Sequence, residues 1–183
     1  MANQYYYTVA SLPMLSLEAE KFMTEEEFLS ACETTVSEKD FESIKASLLL
    51  PVQGTVVSDP ILRSWYDWEN TLRSELVKLR AAKKGTDAEK YIADNPGEAG
   101  VAEVAREAFN QSSPLESERV LDRARWEFLD MLEAGHLFDT GKLIIYFLKL
   151  QLLNRRALLN REVGPQEYEK IYADILAVAR KNG

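Results

Sequence analysis

Apolar residues recur along this chain at intervals of three and four, the spacing that gathers side chains on one face of a helix. The longest such stripe runs through Ile61, Leu62, Trp65, Trp68, Leu72, Leu76 and Leu79. Asp59-Pro60 introduces it as an N-cap followed by a proline whose missing N–H the first turn does not need, and it stops where Lys83-Lys84 meet Gly85. The pattern predicts a helix over 60–84. Ser113-Pro114 repeats the start signal, with Glu116 and Glu118 complementing the helix dipole. Leu121, Trp126, Leu129 and Leu132 then carry the stripe to Gly135, which predicts a helix over 114–134. A third long helix is expected over 140–162, and Gly164-Pro165 separates it from a last one ending near Arg180.

The remaining segments read as shorter pieces. Thr24-Glu25-Glu26-Glu27 has the spacing of a capping box and predicts a helix over about 24–34. A second short helix opens at Ser37 to Asp40, with Phe41, Ile44 and Leu48 on one face, and is expected to run to Pro51. Residues 51–59 suit a linker or extended segment. Over 86–113 the signal weakens to short Ala-rich patterns such as Glu103 to Phe109, around the turn-forming Asp94-Asn95-Pro96-Gly97, which suggests a small mobile insertion. Strand-like alternation is confined to Tyr5-Tyr6-Tyr7-Thr8-Val9. The expectation is an all-α protein: residues 1–183 form a single helical domain, an elongated bundle of long helices with short accessory helices.

Composition narrows the function. With 183 residues, 46% hydrophobic and 28% charged, the chain is neither a disordered tail nor a fibre, and it is long enough to build one core without disulfides. Acidic residues outnumber basic ones 30 to 22, so the net charge of −8 repels phosphate backbones and argues against nucleic acid as a partner. A single cysteine, Cys32, makes no internal disulfide, and a single histidine, His136, falls short of the multi-histidine sets of most zinc and non-haem iron sites. The first residues carry no secretory pattern. The apolar run Leu143 to Leu148 meets Lys149 far short of the roughly 20 residues a membrane span needs. A cytoplasmic location, or a peripheral one on the inner membrane face, is expected.

Two stretches imitate chemistry. Gly135 to Lys142 resembles a phosphate-binding loop, but five residues separate its glycines instead of four, Leu143 replaces the magnesium-binding hydroxyl residue, and a helix rather than a strand precedes it. Glu133 and His136 have the Glu-x-x-His spacing of di-iron bundles, yet no second histidine exists and Gly135 should end the helix between them. A helix-to-helix turn explains both. No nucleophile, base and oxyanion donor come together, so no catalytic residue, cofactor or metal is expected and the chain reads as a non-enzyme. Trp65, Trp68 and Trp126 read first as core anchors and second as partner contacts. Charge is segregated, the long helices being basic and their surroundings acidic, which suits internal ion pairing or an adaptor surface. Arg63, Trp65 and Arg73 on the 60–84 helix combine charge with an aromatic anchor and are the candidate partner-binding residues.

Four stretches carry a resemblance: Tyr5 to Pro13, Trp65 to Arg73, Pro114 to Asp122, and Gly135 to Asp139 followed by Tyr146 to Gln151. In order and wording they resemble a bacterial family of unknown function, domain of unknown function 2764, whose members are encoded beside V-type ATPase subunits. That family is in turn similar to the C subunit of archaeal-type and the d subunit of vacuolar-type rotary ATPases, all-helical sockets that sit on the membrane rotor ring and receive the central stalk. Tyr146-Phe147-Leu148 and Arg155 fall where the socket has an aromatic-aliphatic run and a later arginine; Leu153 stands where it has a glutamate, and this chain is shorter than the three-lobed socket. The resemblance implies a non-catalytic subunit or accessory protein of a V-type ATPase or ATP synthase, working in proton or sodium translocation, with stalk and rotor-ring subunits as partners. The alternative is a stand-alone helical adaptor or regulator that binds a cytosolic protein.

Overall fold

The computed structural model describes residues 4–52, 57–87 and 100–159. Every regular element among them is helical: α1 (Tyr6–Ser11), α2 (Glu25–Glu33), α3 (Glu38–Lys45), α4 (Pro60–Lys84), α5 (Val101–Phe109), α6 (Pro114–Glu133) and α7 (Thr140–Leu158). The expected turn at 94–97, the end of the 140–162 helix and the final helix near Arg180 lie outside the described residues.

Local chemistry sets the helix starts. Asp59 accepts from the N–H groups of Ile61 and Leu62, Ser113 from Glu116 and Asp139 from Lys142, so each long helix has its first turn satisfied by a side chain. At Thr24 both halves of the capping box form. Gly85 ends α4 at φ +66 and Gly135 follows α6 at φ +92, left-handed values that cost glycine no Cβ clash.

α7 lies at the centre. Residues 143 to 150 are buried on every side, because α2, α3, α4 and α6 all pack on this helix. Its neighbours are single-sided: α4 presents Trp65, Trp68, Leu72 and Leu76, and α6 presents Leu121, Trp126, Phe128 and Leu129. Trp65 and Trp68 stack at 5.6 Å between centroids, and Trp68 stacks on Phe128 at 4.8 Å, so the seam between α4 and α6 is aromatic. Phe28 of α2 lies against Tyr146 and Phe147 at 5.2 and 5.4 Å.

Two expectations need correction. Tyr5 to Val9 is not a strand: α1 covers Tyr6–Ser11. Tyr5 and Thr8 are buried while Val9 and Leu12 pack partly against the core, so the same residues satisfy helical spacing, and no strand among the described residues is there to take extended backbone groups. The second short helix stops at Lys45 rather than near Pro51, because side chains of α4 and α7 take over the backbone beyond it. Tyr66 Oη accepts from Leu48 N–H; Gln151 accepts from Leu49 N–H and donates to the Ser47 carbonyl; Trp65 Nε1 donates to the Leu49 carbonyl at 3.1 Å. α5 lies within the 86–113 stretch. Val101, Ala105 and Ala108 are buried as it packs between α4 and α6, and Lys83 sits over the Phe109 ring at 5.4 Å.

Candidate functional site

The candidate residues Arg63, Trp65 and Arg73 share α4 but not one surface. Trp65 is fully buried and held by its indole hydrogen bond, so it is a core anchor and offers no partner contact. Arg63 is exposed and forms no ion pair with any described residue. Arg73 is half-exposed, but its Nε donates to Glu69 Oε1 at 3.1 Å and ties it to a network beneath. Trp68 and Trp126 also fill the interior, so the basic outer face of α4 carries charge without an aromatic anchor.

That network is the main polar feature of the interior. Glu69, with no exposure at all, receives Arg125 in a two-point clasp, Nε to Oε2 and Nη2 to Oε1, both at 3.0 Å. Arg125 Nη1 also reaches Asp122 at 3.0 Å, and Asp122 accepts from Arg155 of α7 at 2.5 Å. Arg155 extends the chain to Glu118. One continuous set of alternating charges therefore fastens α4, α6 and α7 together. Burial works against the charge on Arg125, but Glu69 beside it, with Asp122 and Glu118, holds its pKa above the ordinary arginine value. Burial pushes the Asp122 carboxyl up, against the pull of Arg155 and Arg125. The i,i+4 pair Glu69 and Arg73 and the run Glu118, Asp122, Arg125 on one face of α6 were visible as helical spacing. Their meeting across helices was not.

A second clasp joins the end of α6 to α7. Glu133 accepts from both Lys142 and Lys149, Asp130 pairs with Lys149 at 2.6 Å, and Lys149 lies 5.2 Å from the Trp126 ring centroid. The two lysines hold the Glu133 carboxyl below its usual range even though burial opposes them. Glu133 thus faces lysines, while His136 Nδ1 pairs with Asp139 at 2.7 Å; the Glu-x-x-His spacing brings no ligand pair together. Gly141 leaves room at the same turn: a Cβ there would lie 2.4 Å from Ile61 Cδ1 and 2.6 Å from His136 Nδ1, so these side chains would have to shift to admit one. The glycine-flanked stretch 135–142 is a tight helix junction built on these contacts. Among the described residues no group of three or more His, Cys, Asp or Glu is placed to hold a metal ion.

On the outside, a groove of about 540 Å³ runs between the 17–22 segment, the start of α6 and the end of α7. Leu153 is 2% exposed and lines the groove beside Asp122. Tyr146 and Phe147 are buried, with Tyr146 Oη donating to the Pro13 carbonyl at 2.9 Å. The aromatic-aliphatic run is therefore core, and Arg155 belongs to the ion network. No helix among the described residues is long and apolar enough to cross a membrane. No protein-family model, curated protein or solved structure significantly matches this chain.

Proposed function

We propose that the protein is a non-catalytic subunit or accessory protein of a V-type ATPase or ATP synthase, joining the membrane rotor ring to the central stalk. The observation that carries the proposal is the cross-braced frame of α4, α6 and α7, in which buried arginine–carboxylate bonds resist the sliding of one helix past another. An element that transmits torque needs such stiffness, and the four resembling stretches name the machine in which it would serve. Exposed charges set register with the partners, with Arg63 as the leading contact on α4 and the exposed part of Arg73 a separate one about 15 Å further along the helix.

Purification of the native protein at low and high salt tests this reading. Stalk or rotor-ring subunits are expected to co-purify, and Arg63→Glu is expected to weaken their retention while circular dichroism shows the fold intact, because surface charge changes usually move stability by less than about 0.5 kcal/mol. Retention of none of them at any ionic strength, together with capture of an unrelated cytosolic protein, gives the adaptor reading instead.

A further inference from the structure

The outer face of α4 carries charge without an aromatic anchor, but the chain that follows α3 lays an apolar ribbon along it. From Ser47 to Val52 burial alternates: Ser47, Leu49 and Pro51 are buried, while Leu48, Leu50 and Val52 are 41%, 42% and 62% exposed. A period of two turns the three exposed side chains to one side of the ribbon. Its inward side is fixed to the helix. Tyr66 Oη accepts from Leu48 N–H, Trp65 Nε1 donates to the Leu49 carbonyl, and Arg73 Nη1 comes within 3.5 Å of the Pro51 carbonyl. Arg63, Tyr66, Asn70 and Arg73 stand three or four residues apart and share one side of α4. The outward row therefore has an arginine toward each end, Arg63 one turn before the Leu48 contact and Arg73 at the Pro51 contact. Three apolar side chains on one fixed backbone form a contact surface rather than a scatter of single exposed residues. Charge says what covers it. Arg63 has no ion-pair partner among the described residues, and Arg73 keeps 41% of its side chain exposed. Asp67, the exposed carboxylate on this stretch of α4, lies about 100° round the helix from Tyr66 and has an interaction of its own.

We propose that this ribbon and its two arginines are the docking surface for an amphipathic helix of a partner protein, whose apolar stripe meets Leu48, Leu50 and Val52 and whose flanking carboxylates pair with Arg63 and Arg73. The proposal takes α4 as the docking side and so rests on the function proposed above, to which it adds the chemistry of the partner. The arginines are about 15 Å apart along α4, so on a partner helix aligned with it the matching carboxylates stand about three turns apart. The apolar row supplies the contact that buried Trp65 does not, and a backbone already fixed leaves little ordering to be done on binding.

Fluorescence anisotropy on the full chain, with two lactam-constrained helical peptides as probes, tests the proposal. Both peptides carry leucine at alternating spacings of three and four; one has glutamate and the other lysine at the flanking positions. The glutamate peptide is expected to bind at least about tenfold more tightly than the lysine peptide, with the difference shrinking at high salt. Leu50→Asp and Arg63→Glu should each weaken its binding by at least about fivefold. Val52→Asp, at the most exposed of the three apolar positions, gives the same reading should circular dichroism show that Leu50→Asp disturbs the fold. Equal affinity for the two peptides, no binding of either, or binding unaffected by Leu50→Asp and Val52→Asp would overturn the inference. So would a dimer in sedimentation that these variants dissolve, which assigns the ribbon to a second copy. Failure of the function proposed above reads differently. Stalk and rotor-ring subunits absent from the purified protein, while the glutamate peptide binds as expected, leave this surface and remove the ATPase assignment; subunits that stay fully bound to Leu50→Asp leave the assignment and remove this surface.

Discussion

Replacing Arg125 with methionine removes the centre of the buried network while keeping a side chain of similar reach. Glu69 then loses two of its three charge-assisted hydrogen bonds and keeps only Arg73, whose side chain is 41% exposed; Asp122 keeps Arg155. Stranding one partner of a buried pair costs about 3–5 kcal/mol, because the remaining carboxylate stays desolvated without compensation. With a urea slope of roughly 2 kcal/mol per molar, a loss of about 4 kcal/mol moves the unfolding midpoint down by ~2 M. The same loss lowers the melting temperature by about 8–16 °C for a chain of this size. Urea titration followed by circular dichroism and tryptophan emission measures it. The decisive companion is the double variant Glu69→Met, Arg125→Met, in which no charge is stranded at full burial, since Arg73 turns to solvent. It is expected to recover at least about 2 kcal/mol relative to Arg125→Met alone. A midpoint shift under about 0.5 M for the single variant, or a double variant no more stable than the single, would refute the view that this network is a coupled brace.

Further outcomes follow from other buried groups. Cys32 is fully buried and its thiol is pushed up to about 12, so it should stay unreactive to an aromatic disulfide reagent near pH 8 in the folded protein and react stoichiometrically once guanidinium unfolds it. Reaction at the rate of a free thiol without denaturant would contradict its placement. The carboxyl of Glu133 is held below its ordinary value of 4.5, so its contribution is complete above that pH and is lost as pH falls through the lower folded value. The stability gap between the unaltered protein and Glu133→Gln, about 1 kcal/mol at neutral pH, should therefore narrow as pH falls below 4.5 and close beneath the lower folded value; a gap independent of pH would sink this account. Gly141→Ala should destabilise by about 1–3 kcal/mol despite alanine's better helix propensity, because the new methyl meets Ile61 and His136. A stabilised variant would show that the junction relaxes freely.

Much of the secondary structure was legible because its signals are local. An N-cap side chain, an N1 proline and a left-handed glycine act within one turn of backbone, so Asp59-Pro60, Gly85, Ser113-Pro114 and Thr24 mark the helix boundaries from sequence alone. Periodicity also placed Trp65, Trp68, Leu72 and Leu129 on inward faces. It failed where tertiary partners decide. Residues 5 to 9 satisfy two periods at once, and only the packing of Tyr5 and Thr8 selects the helix. Residues 46 to 49 continue a helical pattern, but their backbone is claimed by Tyr66, Trp65 and Gln151 from distant turns. The candidate surface divided for the same reason. Arg63, Trp65 and Arg73 were grouped by residue type, yet burial depends on which helix lies against α4, and that contact leaves Arg63 to solvent, sends Trp65 inside and ties Arg73 to Glu69. Charges on α4, α6 and α7 show in sequence only as basic helices in acidic surroundings. Tertiary structure brings Glu69, Arg125, Asp122 and Arg155 within 3 Å of one another in succession, because hydrogen bonding between charged groups acts across space and carries no mark of sequence separation.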